Sequence, residues 1–375
     1  MSAYDDAVAG WFDHLRGGGT RTWERWLPNS TPATAGTGAL RSSSLQLELV
    51  RRLAEGGELP RFGTLADEIV ATPAFGRGRT EVPLPWPEAP AYGPRPVAPE
   101  DLPAPELLRV AAPLLARLVQ RLPGTAAPPQ VGAGRWWRRA VTLAGPPDLV
   151  HPLRRQLLTA GLRRSGRNAT RIVLAAPFEQ AMFGLWADRV RAGASVRWAR
   201  FWQIRSHADR VPPPLDAARL ILGAPGSHLV IAVDPDLVAR AVAELSGVPV
   251  TPPALPTWAA VDLRRRLNRV VEATTPAEQR TLLGERLTAL LPDDTDRVVP
   301  PPRAEREWAS TTAARLAADV TGLAAAGGYP VHGNPADLVG ASDPGVDAPV
   351  TTADRTLRLA LVAVRAAWQR LEDTR

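Results

Sequence analysis

Residues Ala140-Val141-Thr142-Leu143-Ala144-Gly145-Pro146-Pro147-Asp148-Leu149-Val150-His151-Pro152-Leu153-Arg154-Arg155 decide the fold. A short apolar run, a glycine-proline turn and an acidic residue opening an apolar stretch read as a buried strand that leads into a helix. The strand covers 140–144 and the helix 148–162. The pattern recurs downstream. Arg171 to Ala176 is a second strand, rich in Ile, Val and Leu. Phe178 to Ala192 is a helix with Met182, Phe183, Trp186 and Val190 on one face. Leu215 to Leu222 is a short helix and Leu229 to Val233 a third strand. The helix after it is fully punctuated, with Asp234 as N-cap, Pro235 at the first helical position and Gly247 as stop. Short apolar strands alternating with helices predict an α/β domain, a short and mostly parallel sheet flanked by helices.

Outside this block the chain reads helical. In residues 1–72, Ala7, Trp11, Phe12 and Leu15 share a face, and Gly17-Gly18-Gly19 ends their helix. Thr22 is placed to cap a turn carrying Trp23 and Trp26. Ser44 opens the segment Leu45 to Leu53, and Thr64 to Val70 forms another short helix. Ten prolines between Pro73 and Pro105 remove backbone donors and disfavour helix, so this part is a linker or a strap laid over the surface. Within the Pro-rich region 73–134, Glu106 to Leu122 is a helix that Pro113 kinks or splits. Residues 135–340 form the α/β domain, with later helices at Trp258 to Ala273, Ala277 to Leu291 and Ala304 to Ala326. Residues 341–375 hold a last helix, Thr352 to Leu371. Its Leu357, Leu361, Val364, Trp368 and Leu371 form a stripe that suits either packing onto the parent core or a coiled-coil seam between copies.

Composition removes whole classes of chemistry. All 45 Lys and Arg positions are arginine, and there is no cysteine. A Walker-type phosphate loop and a Schiff-base enzyme both need Lys, and thiol catalysis and cysteine zinc sites need Cys. Either coding bias of a GC-rich genome or selection against lysine-directed tagging accounts for the missing Lys. No apolar run is long enough to span a bilayer. The start, Met1 to Asp6, is acidic and not read as a signal peptide, so the expected location is cytoplasmic. The net charge of +7 permits acidic partners, but acids are interleaved with the arginines. The tightest arginine clusters are Arg135 to Arg139, with Trp136 and Trp137 between them, Arg163 to Arg167, and Arg264 to Arg266. Twelve Trp, many beside Arg, suit the edge of a core, where the ring is buried and its N–H finds a partner.

One stretch looks like a site. A strand-to-helix turn at the carboxyl edge of a parallel sheet is where such folds bind ligands, and a free helix N-terminus attracts anions. Gly145, His151, Arg154 and Arg155 are the candidate anion-binding residues. Against them, Pro146, Pro147 and Pro152 remove donors, and Asp148 repels an anion. The five histidines, His14, His151, His207, His228 and His332, show no metal-ligand spacing, so no metal is expected. His207 and His332 read as loop histidines. No catalytic residue stands out.

From Arg138 to about Val339 the chain resembles the actinobacterial sulfotransferase family, which uses phosphoadenosine phosphosulfate on a P-loop-like α/β fold. The resemblance lies in Ile172 to Trp186, in Val196-Arg197-Trp198-Ala199-Arg200-Phe201-Trp202, and in Val211 to Asp216. It continues in Leu229 to Val233, in Leu263-Arg264-Arg265-Arg266-Leu267-Asn268, and from Trp308 through Gly327-Gly328-Tyr329-Pro330-Val331-His332-Gly333-Asn334-Pro335 to Val339. The family carries Lys, Gly and Thr or Ser after the first strand. Only Gly145 could correspond here. Ala175-Ala176-Pro177 stands where the family holds the donor's 3′-phosphate with Arg, and Gly184 and Leu185 stand near its Ser. Only Arg163 to Thr170 fills the gap where the family places its acceptor site and base. The resemblance therefore implies an inherited scaffold without the reaction: a cytoplasmic binding or partner protein, leaning away from an enzyme, with no cofactor. Two alternatives stay open. One is an active sulfo- or other group transferase with a phosphate site rebuilt around His151, Arg154 and Arg155, which would take phosphoadenosine phosphosulfate. The other is an Arg/Trp nucleic-acid binder. The expected partner is another protein, or a second copy through 352–371.

Overall fold

The computed structural model describes residues 3–27, 43–78, 82–87, 96–123, 140–162, 169–224, 226–292, 300–338 and 349–375. The expected arginine clusters at 135–139, with Trp136 and Trp137, and at 163–167 lie outside the described residues, as does part of the Pro-rich stretch. The chain divides into two compact units. The first comprises Met1–Thr125, Asp262–Asp293 and Pro349–Arg375, and the second Ala126–Val261 and Asp294–Ala348. Residues 262–293, expected inside the α/β domain, thus cluster with the first unit.

The first unit is helical among its described residues. It holds α1 (Ala3–Arg16), α2 (Trp23–Trp26), α3 (Ser44–Glu55), α4 (Phe62–Val70) and α5 (Ala104–Arg121). The second unit contributes the elements from β1 (Val141–Ala144) to α10 (Pro235–Ser246), described below, and the boundary falls inside α11 (Trp258–Val271). The first unit resumes with α12 (Ala277–Thr288) and α14 (Pro349–Asp373). The cap of α3 is Ser43, whose hydroxyl accepts from the Leu45 N–H. The expected opener, Ser44, instead donates its hydroxyl to the Val82 carbonyl at 2.7 Å. Thr22 precedes α2 but makes no side-chain cap. The short piece of strap at 82–87 is pinned: the Val82 N–H donates to the Ser43 hydroxyl, the Leu84 N–H to the Tyr4 hydroxyl, and the Trp23 indole N–H to the Pro85 carbonyl.

Pro113 neither splits nor ends α5, which runs unbroken through it. Proline has no N–H for the carbonyl four residues back, and that carbonyl belongs to Arg109. The Phe75 N–H takes the vacant place, donating to the Arg109 oxygen at 2.8 Å. The apolar stripe of α14 lies along α5, with Leu357, Val364 and Trp368 fully buried. The Trp368 indole N–H donates to the Pro60 carbonyl at 2.7 Å. Arg365 donates to the Leu53 and Gly57 carbonyls, closing the end of α3. Glu48 on α3 is completely buried and accepts from Arg51 and Arg52.

The second unit is built on a four-stranded parallel sheet in the order β1-β2-β3-β4, with β2 at Thr170–Ala175, β3 at His228–Ile231 and β4 at Val331–His332. Its helices are α6 (Pro147–Thr159), α7 (Phe178–Arg191), α8 (Trp198–His207), α9 (Ala217–Leu222), α10 and α13 (Arg306–Ala326). Side chains alternate across the sheet, as the strand period requires. Val141, Leu143, Ile172, Leu174 and Val230 face a core shared with α6 and α10. Val173, Ala175, Leu229 and Ile231 face α9 and α13. Both faces are covered, which is why the strands read as continuous apolar runs. A third cluster gathers Phe183, Trp186, Trp198 and Trp202 from α7 and α8. The punctuation of α10 holds in detail, since the Asp234 carboxylate accepts from the Asp236 N–H and Gly247 takes φ +72°.

Two elements differ from expectation. The Val331-His332 segment is a strand, paired with Leu229 and Val230, where a loop was expected. Trp198–His207 is a helix whose last residue is His207, and the His207 Nδ1 lies 2.8 Å from the Gln203 carbonyl.

Candidate functional site at the carboxyl edge of the sheet

The turn from β1 into α6 passes close against β2. Gly145 has φ +133°, and a Cβ there would lie 2.5 Å from the Leu174 carbonyl oxygen. Only glycine fits such a backbone at such a separation. Pro146 and Pro147 follow and bring no N–H. The next donors are occupied. The Leu149 and Val150 amides bond the Pro146 carbonyl, and the Asp148 and Leu149 amides favour the charged form of the Asp148 carboxyl beside them. The helix end that would attract an anion is therefore filled by its own acid.

Asp148 is 3% exposed. It packs against Gly184 of α7 so closely that a Cβ on that glycine would lie 2.0 Å from its Oδ1. That oxygen has no hydrogen-bond partner among the described residues. Burial pushes the Asp148 carboxyl up to about 7, against the two backbone amides and the charge of Arg191, and Asp188 adds a smaller upward push.

The anion-site residues do not converge. Gly145 shapes the turn. The His151 Nδ1 lies 3.0 Å from an Asp188 carboxylate oxygen that also accepts from Arg191 at 3.1 Å. Arg154 reaches back to β1 and donates to the Leu143 carbonyl at 3.0 Å. Arg155 is exposed. Three neighbouring positions on one helix thus point to α7, to β1 and to solvent.

The crevice beside this turn is apolar. It is lined by Pro146, Leu174, Ala176, Phe178, Ala317 and Leu338 among others, every one of them an apolar residue. Its volume is about 20 Å³, room for one water. Ala176 lines this crevice, and Gly184 packs under Asp148. The remaining arginine cluster, Arg264 to Arg266, is largely buried in α11. Arg265 and Arg266 hold the Asp262 carboxylate at 2.8 and 2.7 Å, and Arg264 donates to the Thr281 carbonyl. Burial opposes ionisation of Asp262, but the two guanidinium charges keep its carboxyl below the ordinary range.

Sequence reasoning placed Asp148 at the helix start and missed its burial against α7. The available signal was Gly184, a glycine inside a helical pattern, which is unfavourable by about 1 kcal/mol unless close packing needs it. Among the described residues no helix is long and apolar enough to cross a membrane, and no group of three or more His, Cys, Asp or Glu could hold a metal. No protein-family model, curated protein or solved structure matches this chain.

Proposed function

We propose that this chain is a non-catalytic, cytoplasmic binding or partner protein whose second unit is a sulfotransferase-like scaffold that no longer holds phosphoadenosine phosphosulfate. One observation carries the reading. The crevice at the carboxyl end of β2, on the edge where open α/β folds take their ligands, is apolar and the size of a single water. Sulfuryl transfer relies on charge positioned around the donor, as phosphoryl transfer does. Here the helix start that follows β1 is occupied by a buried carboxylate. The reading also rests on the resemblance between Arg138 and Val339 and on the missing Lys. A group-transfer site rebuilt from His151, Arg154 and Arg155 would need those side chains in one place, and their separate partners count against it.

Calorimetric titration of the full chain with phosphoadenosine phosphosulfate tests the proposal. The expected result is no saturable heat at millimolar donor. Micromolar binding at one site per chain overturns it.

A further inference from the structure

The parallel register brings two histidines, distant in the chain, onto one face of the sheet. Val230 of β3 stands opposite His332 of β4. His228 lies two residues before Val230 and so shares its face. The two imidazole centroids are 5.8 Å apart, with their planes tilted by 41°. Each ring holds one buried nitrogen, Nδ1 of His228 and Nε2 of His332, that has no hydrogen-bond partner among the described residues. Buried polar atoms in native folds are nearly always satisfied, so a neighbouring pair that is not needs an account.

We propose that His228 and His332 together chelate a divalent transition-metal ion of the Cu²⁺, Ni²⁺ and Zn²⁺ class. The spacing allows it. A metal–imidazole bond is about 2.0–2.1 Å and a ring nitrogen lies about 1.1 Å from its centroid, so a shared ion sits about 3.2 Å from each centroid. A separation of 5.8 Å lies within the roughly 6.4 Å that two rings sharing one ion can span. Both histidines are half-buried, so solvent can complete the coordination shell. Two imidazoles with open positions suit the nitrogen-preferring ions late in the first transition series, with Cu²⁺ held most tightly. Chelation would tie β4, a strand of two residues at the sheet edge, to β3. Gly333, directly after His332, already sits so close to Ile231 that a Cβ there would meet its side chain at 2.9 Å.

The test uses the full chain without a histidine tag, titrated with Ni²⁺ by calorimetry in a non-coordinating buffer. The expected result is one ion per chain with a micromolar Kd. His228→Ala and His332→Ala should each weaken binding by about tenfold or more, while His151→Ala and His207→Ala leave it unchanged. A wild-type chain that takes up no Ni²⁺ below millimolar concentration overturns the proposal. Binding that survives in both His228→Ala and His332→Ala does the same, because it places the ion elsewhere. Should either variant fail to fold, Cu²⁺ electron paramagnetic resonance on the unmodified chain decides. Hyperfine coupling to two imidazole nitrogens supports the pair, and coupling to one or none refutes it.

Discussion

Asp148→Asn isolates the energetic consequence of a carboxyl group buried between α6 and α7. The native group titrates near 7, whereas the ordinary value, expected in the unfolded chain, is 3.8. Between those two values the folded protein keeps a proton that the unfolded chain has released. Its contribution to stability is therefore complete below the unfolded value and is lost as pH rises through the native one. The slope for one proton is about 1.4 kcal/mol per pH unit, and the window spans about three units, so the total is about 4 kcal/mol. Asparagine keeps nearly the same shape and a side-chain carbonyl but carries no charge. The variant should match wild type at about pH 4 and exceed it by about 4 kcal/mol at about pH 8. Urea unfolding of both proteins at several pH values measures this, and the difference between them cancels every other carboxylate. A gap that stays constant with pH, or that closes as pH rises, refutes the reasoning.

Three further substitutions probe the packing. Glu48→Ala leaves Arg51 buried without its main partner and should cost about 3–5 kcal/mol in urea unfolding. Gly145→Ala forces a side chain into the left-handed region and against the Leu174 oxygen; a loss of about 2–4 kcal/mol is expected, read from the shift in denaturation midpoint. Trp368→Ala empties the seam between α14 and α5 and removes the bond to Pro60; about 3–5 kcal/mol should be lost in thermal or urea unfolding, without a change in oligomeric state by light scattering.

The α/β frame was legible in the sequence because strands covered on both faces read as short apolar runs, and because Asp234-Pro235 and Gly247 mark a helix unambiguously. β4 was not legible, since two residues carry no periodicity and become a strand only through pairing with Leu229 and Val230. The helix Trp198–His207 offered only one turn of apolar spacing, Trp198, Phe201 and Trp202, before Arg205 and His207 interrupt it. At the candidate site Gly145 and the prolines were readable, because backbone freedom and missing donors are properties of single residues. The directions taken by His151 and Arg154 were not, because they depend on Asp188 in another helix and on a strand carbonyl. The nearness of His228 and His332 was equally invisible, for it follows from sheet register and not from spacing along the chain.

The most direct measurement follows the methyl groups of Ala175, Ala176 and Leu338, at the crevice wall, by NMR while the activated sulfate carrier is added in excess. A closed apolar edge predicts that these signals stay where they are. Saturable movement of all three, with the nucleotide ordered beside Gly145, would contradict the account.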